Sequence, residues 1–249
     1  MKNLIISALL MLPGMLYSQT QVNQSFDASA VRSISLNFKY PELVQVRSWD
    51  KNQLQIKGTV TINNGENNDA FKLTSLMEGD KLVINSVIEN LDDLPKKITV
   101  RKDGETYVFN TDSWNDPELK QFFRENGNDH EYVSQGVHKE IKLEVFVPAN
   151  IELQVNAKYG IVEVLDYKAP LEVNAKYGGV DVKIPESSKR DIQARTKYGE
   201  IFTDLEVDFD RTGSDILDYD KWTVVSKKLN GGGAKCFLES KYGNVYMRK

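Results

Sequence analysis

Apolar and polar positions alternate strictly through the second half of this chain. Leu153, Leu171, Ile192 and Cys236 form one column of equivalent positions. Val155, Val173, Ala194 and Leu238 form the next but one, followed by Ala157, Ala175, Thr196 and Ser240. Polar Asn156, Asn174, Arg195 and Glu239 stand between the last two columns. A period of two predicts a strand with one buried face. Each run ends in the same tripeptide: Lys158-Tyr159-Gly160, Lys176-Tyr177-Gly178, Lys197-Tyr198-Gly199 and Lys241-Tyr242-Gly243. Alternation then restarts, at Val162 and Val164, Val180 and Val182, Ile201 and Thr203, and Val245 and Met247. The pattern therefore reads strand, corner, strand, four times over.

The tripeptide has a physical logic. Glycine turns a corner by taking positive φ without a Cβ clash. The tyrosine continues the inward parity and is expected to fill the corner, with its hydroxyl at the wet edge. Lys158, Lys176, Lys197 and Lys241 have outward parity. The tyrosines are 18, 21 and 44 residues apart, and Tyr219 falls where a degenerate copy belongs in the last gap. A unit of this size cannot bury its own apolar face, whereas stacked neighbours can. The expected fold is all-β: a parallel β-solenoid, β-helix or β-roll-like, of roughly 20-residue coils with one short helical insertion. Asn230–Gly233 (NGGG) is expected to be a tight corner. It is not a phosphate loop, because no Gly-Lys-Ser/Thr follows.

The first half is less regular. Ser33–Val46 alternates and carries Lys39-Tyr40-Pro41 where the repeat has Lys-Tyr-Gly, which suggests a worn copy. Asn52–Asn63 and Asp80–Ile88 read as further strands. Ser113–Gly127 is helical: Asp116 is a good N-cap, Pro117 suits the first helical position, and Gly127 suits the C-cap. Its apolar face, Leu119, Phe122 and Phe123, is expected to cover an apolar surface such as a solenoid edge. The chain divides into a signal peptide (1–18), an irregular β region (19–100), a polar insertion with a short helix (101–139) and the repeats (140–249).

The repeats, "WTVVSKKLNGGG", and the earlier "VQVRSWDKNQLQI" and "NDAFKL" resemble a family of exported bacterial β-solenoid proteins labelled "putative adhesins", common in Bacteroidetes. The likeness is clearest from about residue 140 onward and looser over 33–88, and the helical insertion departs from it. The resemblance implies a binding role at the surface or in the periplasm. It supplies no catalytic residues, because the family has no agreed activity.

The N-terminus fits that compartment. Lys2 precedes the apolar run Leu4–Leu12, Pro13 and Gly14 break it, and Ser18 offers a cleavage position before Gln19. No integral membrane span is expected once this signal is removed. Without Lys2 the chain has 31 basic and 36 acidic residues, a balance that argues against nucleic-acid binding. Cys236 is the single cysteine, so no internal disulfide forms, and its apolar column favours a buried thiol over a nucleophile.

Chemistry is sparse. His130 and His138 are the only histidines and read as surface residues. Asp208-x-Asp210-x-Thr212-Gly213 imitates the start of a calcium loop, but Tyr219 stands where a bidentate glutamate belongs, and the alternation Leu205, Val207, Phe209 explains the stretch as a half-buried strand. No cofactor or metal motif is found. The expected function is a non-enzymatic exported surface or periplasmic module, adhesin-like or an envelope scaffold, contacting glycans through repeated outward side chains. A carbohydrate-active β-helix enzyme is the alternative, which requires clustered carboxylates beside a cleft. The four lysines carry the functional interest. Stacked strands bring them about 4.8 Å apart, where like charges repel by about 0.9 kcal/mol per pair even at water dielectric. One reading makes them a solvated face balanced by Glu163, Asp181 and Glu200. The other makes them a positive stripe for an acidic glycan or cell-envelope component.

Overall fold

The computed structural model describes residues 19–212 and 222–249. The expected signal peptide, and Gly213 and Tyr219, lie outside the described residues. The chain opens with strands β1 (Thr20–Asp27), β2 (Ser33–Phe38), β3 (Leu43–Trp49) and β4 (Gln53–Ile62). A hairpin follows, β5 (Phe71–Glu78) and β6 (Lys81–Ile88). Next come β7 (Lys97–Lys102), β8 (Glu105–Phe109), helix α1 (Pro117–Asn126), β9 (Tyr132–Gly136) and β10 (Lys139–Pro148). Three corner pairs succeed them: β11 (Glu152–Ala157) with β12 (Ile161–Asp166), β13 (Leu171–Ala175) with β14 (Val180–Lys183), and β15 (Arg190–Thr196) with β16 (Ile201–Thr203). Short β17 (Asp210–Thr212) and β18 (Thr223–Leu229) precede the last corner pair, β19 (Ala234–Ser240) and β20 (Val245–Arg248).

These strands form two large mixed sheets and one small one. The first runs β1-β4-β10-β3-β12-β14-β20-β16, the second β17-β18-β15-β19-β13-β11-β2-β6-β5, and the third β8-β7-β9. The two large sheets share one core, in which Val44, Val162, Val180 and Val245 of the first join Leu36, Val155, Val173 and Leu238 of the second, all 0–1% exposed. Each such side chain contributes about 1.5–3 kcal/mol on burial.

The expected parallel β-solenoid is overturned. The arrangement is sandwich-like, with antiparallel pairs at β1–β4–β10, β5–β6 and β15–β18–β17. Chain order is also not stacking order. β19 inserts between β13 and β15, and β20 between β14 and β16. A solenoid coil pairs with the next coil in sequence, whereas here the last corner pair enters the middle of the stack. The columns themselves are hydrogen-bonded neighbours: Leu153 pairs with Leu171, Leu171 with Cys236, and Cys236 with Ile192. Any parallel stacking of like strands produces those columns, so they do not specify the order. The corner pair β2–β3 lies beside the first repeat, Phe38 against Ala157 and Val44 against Val162.

Helix α1 covers no edge of the large sheets. It packs on the third sheet, where Leu119 is buried with Ile98, Val100 and Phe109. Asp116 accepts from the amides of Glu118 (2.9 Å) and Leu119 (3.2 Å), and Gly127 ends the helix at φ 75°. Buried Lys97 ties this layer to the sandwich: its Nζ donates to Asn110 (2.7 Å), Glu66 (3.0 Å) and the Asn63 carbonyl (3.2 Å). The stretch around Leu205, Val207 and Phe209 is not a strand. Its apolar side chains still pack on the core, and only 210–212 pairs.

Candidate functional site

The corners between the two large sheets stack as the strands do. Backbone bonds hold them in register: Lys176 N donates to Ala157 O (3.0 Å), Tyr177 N to Lys158 O (3.0 Å), Tyr242 N to Lys176 O (3.0 Å) and Tyr198 N to Lys241 O (3.0 Å). Corner order is therefore 159, 177, 242, 198.

The glycines are required for two different reasons. Only Gly160 has positive φ (79°). At Gly178 a Cβ would lie 1.5 Å from the Gly160 carbonyl oxygen, at Gly243 2.4 Å from that of Gly178, and at Gly199 2.0 Å from that of Gly243. Three of the four thus serve close backbone approach rather than an unusual dihedral. Buried hydroxyls lock the later corners. Ser240 Oγ donates to Gly178 O (2.7 Å) and accepts from Gly243 N (2.9 Å). Thr196 Oγ1 donates to Gly243 O (3.0 Å) and accepts from Gly199 N (3.1 Å).

The tyrosines do not fill the corners from inside. Tyr159, Tyr177, Tyr242 and Tyr198 are 42–48% exposed. Strand parity fails at these residues because they lie in the bend. They form a ladder instead, with ring centroids 5.4, 5.0 and 4.9 Å apart and planes within 15° of parallel. Each lysine lies against the ring that follows it. The Nζ-to-centroid distances are 5.1 Å for Lys158, 5.0 Å for Lys176, 5.2 Å for Lys241 and 5.3 Å for Lys197. Such cation–π contacts add about 0.5–1 kcal/mol at exposed sites and orient the chains.

Among the described residues, none of the four lysines has a carboxylate at ion-pair distance. Two of the three acids expected to balance them are engaged elsewhere. Glu163 accepts from Gln45 Nε2 (2.7 Å), and Asp181 pairs with Arg248. Among the described residues, the ladder is a positive stripe without paired carboxylates, on a chain of net negative charge. Beside its Tyr159 end, Asn85, Asn37, Asn156 and Asn174 hydrogen-bond side chain to side chain at 2.8–3.0 Å. Three of them, Asn85, Asn37 and Asn156, border a hollow of about 510 Å³ with Lys39 and Lys158. A larger hollow, about 660 Å³, lies away from the ladder over Gln193, Lys235 and Phe237. Near it the Arg195 guanidinium sits 4.7 Å from the ring of Trp222 and 5.0 Å from that of Phe237.

Cys236 is 1% exposed, and burial pushes its thiol up to about 11. His130 is exposed beside Phe123. His138 is not a surface residue: its ring is nearly buried, 3.2 Å from Glu140 and 3.4 Å from Thr99. Among the described residues, Asp208 and Asp210 have no third ligand and no metal-type cluster occurs. Asn230 and Gly231–Gly232 do form a tight turn, all at positive φ. One juxtaposition escaped the sequence reading. Glu163 and Asp181 are cross-strand neighbours, each three residues past its corner glycine. Burial and Glu163 raise the Asp181 carboxyl, while Arg248 opposes them. The shared offset from glycine was the available signal.

No family model matches this chain, and no curated protein does. One solved structure, a "putative cell adhesion protein" from Clostridium sporogenes, aligns over 93% of this chain and 99% of its own, with a TM-score of 0.50 and 10% identity. The likeness is one of fold. A "putative adhesin" from Bacteroides fragilis aligns over 94% of this chain and 100% of its own at 10% identity, but its TM-score of 0.26 adds nothing.

Proposed function

We propose that this protein is an exported, non-enzymatic adhesive module whose lysine–tyrosine ladder contacts an acidic glycan of a cell surface or envelope. The observation that carries this reading is the row of four exposed, parallel rings, each with a lysine that has no carboxylate partner among the described residues. A regular row suits a regular polymer. One weak contact per rung sums through avidity, and the ammonium groups attract a repeating anion. Tyrosine offers apolar area and a hydroxyl at little entropic cost. The name of the Clostridium protein agrees with an adhesive role.

An enzymatic reading would use Glu163 and Asp181. They stand half-buried on the outer face of the first sheet, each with its own polar partner, and line none of the hollows described above. The test is binding to acidic and neutral glycans across a salt series, with polysaccharide turnover measured alongside. Wild type is expected to bind the acidic glycans in a salt-sensitive way. Changing Lys158, Lys176, Lys197 and Lys241 to Gln should abolish that binding. Equal binding by both proteins refutes the ladder, and turnover that depends on Asp181 refutes the non-enzymatic reading.

A further inference from the structure

β5 is the outermost strand of the second sheet. It pairs with β6 along its whole length, from Phe71 opposite Ile88 to Glu78 opposite Lys81, without a bulge. Among the described residues no strand pairs its other side. An unpaired edge exposes backbone donors and acceptors that recruit another strand unless charge, proline, a bulge or shortness prevents it. The edges β16 and β17 are three residues long, and edge β1, though eight, carries no exposed large apolar side chain. β5 has eight residues, no proline, and two exposed apolar side chains, Leu76 at 56% and Met77 at 50%. Its only charges, Lys72 and Glu78, stand near opposite ends.

We propose that β5 pairs antiparallel with β5 of a second copy, about a two-fold axis through Ser75. Backbone geometry restricts the register. Alternate residues of an edge strand direct both N–H and C=O outward, so symmetric pairing joins residues of the same parity. Two symmetric registers, centred on Thr74 and on Ser75, keep all but one residue of the strand paired. Centring on Ser75 sets Lys72 opposite Glu78 twice over by symmetry, Leu73 opposite Met77, and Thr74 opposite Leu76. Centring on Thr74 sets Lys72 opposite Leu76 and leaves Glu78 beyond the paired span. Opposite charges across strands stabilise a pairing. Leu73 already packs against the core, so Met77 of one copy covers Leu73 of the other and carries the apolar face across the joint. The contact is isologous and closes on itself as a dimer rather than a fibre.

The test uses the whole mature chain. Sedimentation should show a dimer that Lys72→Glu weakens about tenfold, with like charges now opposed twice. The exchange Lys72→Glu with Glu78→Lys should restore it. Independently, Ser75→Cys should form disulfide-linked dimers under mild oxidation, because cross-strand Cα spacing suits a disulfide and native Cys236 is buried. Thr74→Cys and Leu76→Cys should cross-link poorly, since neither residue opposes itself. A monomer by sedimentation, a dimer indifferent to the charge changes, or cross-linking that is no better at Ser75 than at its neighbours overturns the proposal.

Discussion

Replacing Gly178 with alanine adds one methyl group at the most crowded point of the corner stack. That carbon would lie 1.5 Å from the Gly160 carbonyl oxygen and 2.3 Å from its carbon, both backbone atoms. No side chain can yield there, so the two corners must separate. Overpacking of this kind costs about 1–3 kcal/mol. Separation also weakens two contacts, Tyr177 N to Lys158 O (3.0 Å) and Ser240 Oγ to Gly178 O (2.7 Å), each worth about 1 kcal/mol net. The total, about 3–5 kcal/mol, is a large share of a typical domain's 5–15 kcal/mol. Gly231→Ala is the control: φ is +87° there, but no atom lies within 4 Å, so only the left-handed backbone cost of about 1–2 kcal/mol applies. Lys176→Val, at an exposed position, should cost only about 0.5–1 kcal/mol, the worth of its contact with the Tyr177 ring. Urea unfolding gives all three differences if the slope is unchanged. A Gly178→Ala loss no larger than that of Gly231→Ala would refute close approach as the reason for glycine.

Cys236 should resist thiol reagents until the protein unfolds. Its folded thiol is raised from 9.0 to about 11 by burial. The stability it allows is therefore complete below pH 9 and lost as the unfolded thiol alone ionises towards pH 11. Wild type should lose about 2–3 kcal/mol more than Cys236→Ala over that window, and parallel pH curves would contradict the burial. Ser240→Ala should cost about 1–3 kcal/mol in urea unfolding, because it strands Gly178 O and Gly243 N. Lys97→Met should loosen β7–β9 from the sandwich, seen as faster amide exchange in β7 while the corner strands stay protected, since it removes three hydrogen bonds at that joint.

Much of this molecule was legible from period and punctuation. The alternation over Leu153–Ala157 and its copies locates the buried columns because a strand's side chains alternate whatever lies beside it. Asp116, Pro117 and Gly127 bound the helix because capping is local chemistry. Stacking order was not legible: Cys236 fits equally well beside Ile192 or Leu171, and in fact lies between them. The antiparallel β18 carries no Lys-Tyr-Gly, so nothing in the repeat announced it. The outward turn of the tyrosines was hidden because parity holds only inside a strand, and residues 158–160 bend. Glu163 and Asp181 were read as charges balancing the lysines, since sequence proximity does not reveal which sheet face a side chain joins.

The ladder's role is tested most directly at the rings themselves. Tyrosine side-chain resonances can be assigned by single Tyr→Phe changes at 159, 177, 198 and 242, then followed while an acidic oligosaccharide is added at low salt. These four are expected to shift together and saturably, high salt to reverse the shifts, and the four-lysine-to-glutamine protein to show none. Binding that leaves the four rings unmoved and perturbs other residues instead would contradict the ladder's role.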